Sequence, residues 1–113
     1  MESIARAKYL RGSAQKFRLV ADLVRKKPVP KVIALLHEGL TKKAADEIEK
    51  VVRAAVANLQ STEKGANVDI DDLIVKSIMI DIGPMLKRIR PRSQGRAYRR
   101  IHRMCHITVT VSD

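Results

Sequence analysis

Between Met85 and Arg103 stand eight Lys or Arg side chains and no Asp or Glu: Lys87, Arg88, Arg90, Arg92, Arg96, Arg99, Arg100 and Arg103. Seven of the eight are arginine, whose planar fork of N–H donors matches a phosphate in bidentate fashion, whereas lysine offers a point charge. Tyr98 is the one aromatic residue in the stretch, so stacking on bases is not its main mode of contact. The chemistry available is electrostatic capture of a polyanion. The stretch supplies +8 of a formal net charge of +11, and such crowding repels itself unless an abundant negative partner neutralises it.

A second basic region opens the chain: Arg6, Lys8, Arg11, Lys16, Arg18, Arg25, Lys26 and Lys27, set against Glu2 and Asp22. Ser13 lies at the expected start of a helix, where unpaired backbone amides add an anion site. Residues 28–84 are slightly acidic, so two basic regions flank a near-neutral middle. Other chemistry has little support. His102, Cys105 and His106 are close in sequence, but a structural zinc site needs four ligands and the remaining histidine, His37, belongs to another element. A buried cysteine and histidines bonded to phosphate or to a protein partner fit better. Asp69, Asp71 and Asp72 lack the glycine and terminal glutamate of a calcium loop. No glycine-rich phosphate loop and no nucleophile–base pair is evident, so no catalytic residue, metal or cofactor is expected.

Several elements must position these cations. Ser3 to Arg11 alternates loosely and reads as a strand, ended by Gly12, with Ser13 as an N-cap. From Ala14 to Lys26 the apolar Phe17, Val20, Ala21 and Val24 recur at helical spacing. Pro28 and Pro30 stop this helix and start a second, buried through Val32, Ile33, Leu35 and Leu36 and ended by Gly39. The strongest helical signal runs from Thr41, a plausible N-cap, to about Ser61. Its stripe is Ala44, Ala45, Ile48, Val51, Val52, Ala55, Val56 and Leu59, with acid-first pairs Asp46–Lys50 and Glu49–Arg53 on its surface. Glu63 to Asp72 reads as a loop. Then Ile74, Ile78, Ile80 and Ile82 alternate with Ser77, Met79 and Asp81, and at the far end Ile107, Val109 and Val111 alternate with polar residues. Two strands flanking the basic stretch predict a hairpin that leaves the body. Its limbs would reach about 25–30 Å, and Pro84, Pro91 and Gly95 are expected to break its pairing and keep it mobile when free.

At 113 residues the chain is one domain. The expected division is a globular body, 1–83 and 104–113, and an extended basic arm, 84–103. No apolar run approaches the roughly 20 residues that span a bilayer. Met1–Ile4 lacks the order of a signal peptide, and the single cysteine suits a reducing compartment, so a cytoplasmic protein is expected.

The runs Ser13–Arg25, Gly83–Arg92, Gly95–Ala97 and His106–Val111 resemble ribosomal protein twenty-two of the large subunit, bacterial type, over essentially the whole chain. The resemblance implies an α+β fold: three helices packed on a small antiparallel sheet with one long protruding β-hairpin. It also implies a structural, non-catalytic role: binding large-subunit rRNA (23S in bacteria), supporting ribosome assembly, and lining the peptide exit tunnel with the hairpin tip. By position, the RNA contacts would be Arg6, Lys8, Arg11, Ser13, Lys16 and Arg18 on the body. On the arm they would be Lys87, Arg88, Arg90, Arg92, Arg96, Arg99, Arg100 and Arg103. The tunnel-lining tip would be Met85, Leu86, Lys87, Arg88, Ile89, Arg90, Pro91 and Arg92. The partners implied are large-subunit rRNA, neighbouring large-subunit proteins and the nascent peptide near the tip, with no membrane, and with the chain a monomer in a cytoplasmic ribosome.

The residues alone leave other readings open. An architectural DNA-binding protein would wrap a duplex with the arm and insert Ile89 or Pro91 as wedges. A nuclease would cleave RNA with divalent metal, and a peripheral membrane protein would bind anionic vesicles.

Overall fold

The computed structural model describes residues 2–39, 43–62 and 67–113. Strand β1 (Glu2–Arg11) leads to helix α1 (Ala14–Val24), the short helix α2 (Val29–Ala34), a π turn (Leu35–Gly39) and the long helix α3 (Lys43–Gln60). Strand β2 (Ile74–Ile82), the hairpin strands β3 (Leu86–Pro91) and β4 (Ala97–His102), and strand β5 (Met104–Ser112) complete the chain. The body sheet is antiparallel in the order β1-β5-β2, and β3 and β4 form a separate two-stranded ribbon. This is the expected α+β fold: three helices, a small antiparallel sheet and a protruding hairpin. The molecule measures 65 × 26 × 16 Å.

The core lies between the helices and one face of the sheet. All eight residues of the α3 stripe are buried, as are Phe17, Val20, Ala21 and Val24 of α1. They meet Ala5 of β1, Val75, Ile78 and Ile80 of β2, and Ile107, Val109 and Val111 of β5. A stripe recurring at helical spacing, laid on a strand face recurring every second residue, is the elementary way to close such a two-layer domain. Cys105 joins this core with no exposure, and burial pushes its thiol pKa up. That keeps it in the neutral, unreactive form.

Four local expectations need correction. Helix α1 ends at Val24 rather than Lys26. Lys26 takes φ 63°, and the following segment pairs with β2 through Lys26 N–H to Val75 O and Val75 N–H to Lys27 O at 2.9 and 3.0 Å. In α2 and the π turn, Val29, Val32 and Leu36 are fully buried, while Ile33 and Leu35 only pack against the core's margin.

In β2 a register shift between Val75 and Ser77 turns Ile74 off the buried face, and Ile82 borders an open hollow beside the start of α1; both are exposed. The shift leaves Lys76 free to pair with the Glu2 carboxylate of β1. On α3, Lys50 approaches Glu47 at 3.9 Å rather than Asp46, whereas the expected Glu49–Arg53 pair forms at 2.9 Å. Glu49 is only 8% exposed, and His37 Nδ1 lies 3.3 Å from the same carboxylate oxygen. The N-cap role of Thr41 and the first residues of the 63–72 loop fall outside the described residues. Ile70–Asp72 form a 3₁₀ turn capped by Asp69, whose carboxylate accepts from Asp71 N–H.

Candidate nucleic-acid interface

The hairpin is the most exposed part of the protein. Every residue of β3 is exposed, and so is every residue of β4 except the half-buried His102 at its base. Six pairs join the strands, from Leu86↔His102 to Pro91↔Ala97. Pro91 thus closes the ladder instead of breaking it, as a proline can at a strand end. The turn is Ser93–Gly95, with Gln94 and Gly95 at φ 64° and 72°, and it is closed by Arg92 N–H donating to Arg96 O at 2.7 Å.

This register shows how the residues expected at the tunnel-lining tip are spread along the hairpin. Of the residues assigned to it, Met85, Leu86 and Lys87 lie at the base, beside Arg103, whose guanidinium is 3.6 Å from Met85 Sδ. Arg88 and Ile89 stand in the middle, and only Arg90, Pro91 and Arg92 approach the turn. Residues directly opposite share a face, so the ribbon has two unlike sides. One carries Arg88, Arg100, Arg90 and Tyr98; the other carries Ile89, Ile101, Pro91 and Ala97 together with Lys87 and Arg99. Arg88 opposes Arg100 directly, a like-charge pair that destabilises a ribbon unless an anion lies between or over the two. None of the arm cations forms an ion pair with a carboxylate among the described residues.

The root of the arm is held on both sides. Gly12 N–H donates to Arg103 O at 3.0 Å, and Gly83 N–H donates to Met104 O at 2.8 Å. The returning limb therefore enters the body between two backbone clamps. Gly12 has φ +147°, and a Cβ there would meet Phe17 Cε2 at 2.4 Å, so this clamp requires glycine.

The body cations divide into groups. Arg11, Ser13, Lys16 and Arg103 come together around a cleft of about 840 Å³ at the arm root, joined there by Lys43 from the start of α3. Arg6 and Lys8 are exposed on β1 and take no part in it. Arg18 borders a smaller hollow of about 270 Å³ with Ser13, Gln15 and Arg103, but its guanidinium is already engaged. Its Nε and Nη2 donate to Ile80 O at 3.3 and 3.0 Å, and Arg25 Nη2 donates to Ile78 O at 2.9 Å. The two side chains cap carbonyls on the free edge of β2.

Arg18 thus carries a structural task that its place in the basic region does not reveal. Replacing Arg18 and Arg25 together by Ala is expected to destabilise the fold by about 1–3 kcal/mol, because edge carbonyls are deprived of charged donors. Thermal melts check this, with Arg6→Ala as the control that leaves the melting temperature in place.

Ser13 has N-cap backbone angles, yet its side chain makes no capping bond; its carbonyl accepts instead from Lys16 and Phe17 N–H at 3.1 and 3.2 Å. His106 serves the body. Its Nδ1 accepts from Tyr9 N–H at 3.0 Å and its ring meets the Tyr9 ring edge-on at 5.0 Å, where β1 bulges and Tyr9 takes φ 60°. His102 lines the arm-root cleft, whereas the ring contact of His106 is with Tyr9. Sequence reasoning missed Lys43. One signal was available: a lysine in the first turn of a helix opposes the helix dipole, which makes sense where an anion is expected.

The sequence matches the family described as ribosomal protein L22p/L17e over residues 5–112. The chain belongs to that family. Its members are structural proteins of the large ribosomal subunit rather than enzymes, and ribosomal protein L22p/L17e is the frame in which the exposed cationic hairpin makes physical sense. Among the described residues no helix is long and apolar enough to cross a membrane.

Proposed function

We propose that this large-subunit protein binds rRNA through both basic regions, with the body docking on the RNA surface and the hairpin threading between RNA segments. The observation that carries the reading is a ribbon with almost every residue exposed, in which cations oppose one another and no acid stands between Met85 and Arg103. Phosphate on its flanks removes that repulsion and releases condensed counterions. By the same neutralisation the protein supports assembly, because RNA segments that repel one another can close around it. Family membership makes rRNA and neighbouring large-subunit proteins its natural partners, bound by a single copy of the chain on a cytoplasmic ribosome.

The hairpin end is the part that reaches inward to the peptide exit tunnel. The Ser93–Gly95 turn supports giving that place to Arg90–Arg96, with Met85–Lys87 at the arm root. A nascent peptide would then meet the turn and its arginines. Excising Ile89–Arg99 and closing Arg88 to Arg100 with an Asn-Gly turn is expected to leave the body docking on large-subunit particles. It should lower rRNA affinity and flatten its salt dependence by about three to four units, since four arginines go with the segment. Cosedimentation and filter binding at graded salt check both parts. Total loss of docking, or no change in slope, contradicts the division of labour.

A further inference from the structure

The cleft at the arm root is chemically mixed in a way that phosphate binding alone does not explain. Arg11, Lys16, Lys43 and Arg103 surround it, and the first turns of both α1 and α3 open onto it. The same hollow is also lined by Leu19 and Ile101, which are 56% and 39% exposed. Aliphatic side chains left in water among four cations gain nothing from a bare phosphate, and an apolar ligand has no use for the cations.

We propose that this cleft receives one unstacked nucleotide of the bound RNA, with its phosphate among Arg11, Lys16, Lys43 and Arg103 and its base against Leu19 and Ile101. The proposal rests on the RNA-binding reading and deepens it by naming what a particular part of the surface recognises. At about 840 Å³ the hollow lies in the range that admits a nucleotide-sized ligand, roughly 300–1,000 Å³. The Ser13 hydroxyl, unused as a cap, stands beside the first amides of α1, which have no intrahelical partner and favour an anion. The walls are fixed beforehand: the Gly12–Arg103 backbone bond holds the hairpin base to the start of α1, and Phe17 fills the floor beneath Gly12. RNA recognition beyond charge depends on bases splayed out of the helix. Phe17 is buried, so the base contact here is aliphatic and tolerant of base identity.

A neutral substitution separates this inference from simple charge attraction. Leu19→Asn removes the apolar wall at an exposed position and leaves every cation in place. Affinity of the full chain for large-subunit rRNA should fall about fivefold with the log–log salt slope unchanged, whereas Lys16→Ala should flatten the slope by about one unit. Circular dichroism confirms that Leu19→Asn is folded. Ile101→Asn should repeat its effect.

A second measurement needs no rRNA. Methyl NMR of the full chain titrated with uridine 5′-monophosphate should shift Leu19 and Ile101, while inorganic phosphate should shift only the amides near Ser13. Unchanged affinity in both Asn variants, or methyls that ignore the nucleotide or respond equally to phosphate, overturns the nucleotide site and leaves the hairpin reading intact. Loss of rRNA binding by the unmodified chain would instead remove the underlying reading.

Discussion

Gly12→Ala should destabilise the protein by about 3–5 kcal/mol, enough to unfold much of a marginally stable domain at 37 °C. Two costs add. The added Cβ would lie 2.4 Å from Phe17 Cε2, and Phe17 is 3% exposed, so the ring cannot swing aside without opening the core. The backbone at φ +147° is also a conformation that glycine reaches freely and alanine does not. Because Gly12 N–H holds Arg103 O, any relief of the clash loosens the arm root as well. Urea unfolding monitored by circular dichroism checks the loss. Gly95→Ala is the informative comparison: no atom lies within 4 Å of a Cβ there, so only the strain of φ 72° remains, about 1 kcal/mol in an exposed turn.

Replacing Arg96, Arg99 and Arg100 together by Ala should flatten the salt dependence of rRNA binding by about two to three units, at −0.7 to −0.9 for each phosphate no longer neutralised. At near-physiological salt this corresponds to an affinity weaker by about a hundredfold or more. Stability should hold, because Arg99 and Arg100 are exposed on β4 and Arg96 flanks the turn. Removing Arg100 also relieves its opposition to Arg88, so the free hairpin should pair at least as well as before. The variant therefore binds poorly while remaining folded, a combination that a structural role for these arginines would not produce. Filter binding between low and moderate salt gives the slope, and a melt gives the control.

Much of this architecture is legible in the sequence because its periods are long and clean. The α3 stripe repeats over an 18-residue helix, so chance agreement with a helical period is small, and every stripe residue is buried. The basic arm is legible from charge alone, since no carboxylate interrupts it.

What escapes sequence reading depends on tertiary pairing. Lys26 leaves the helix because β2 offers it a backbone partner, a preference absent from local propensity. The extra residue at Lys76 moves Ile74 off the buried face, and hydrophobic alternation cannot register a bulge. The Gly83–Arg92 resemblance does not report where the hairpin turns, and Gln94-Gly95 carries the left-handed angles that close it. Among the candidate site residues, charge identifies the cations but not their duties. Arg18 binds its own sheet, Lys43 joins from a distant helix start, and Leu19 becomes notable only when found exposed beside four cations.

The central claim is that the hairpin is built to lie against RNA. It is tested most directly by titrating the unmodified chain onto large-subunit rRNA over a range of salt, with amide hydrogen exchange read across residues 85–103 in the free and bound states. The account predicts a steep negative slope, about six units or more, and exchange that slows along both limbs only when RNA is present. A shallow slope, or hairpin amides equally protected with and without RNA, would contradict it.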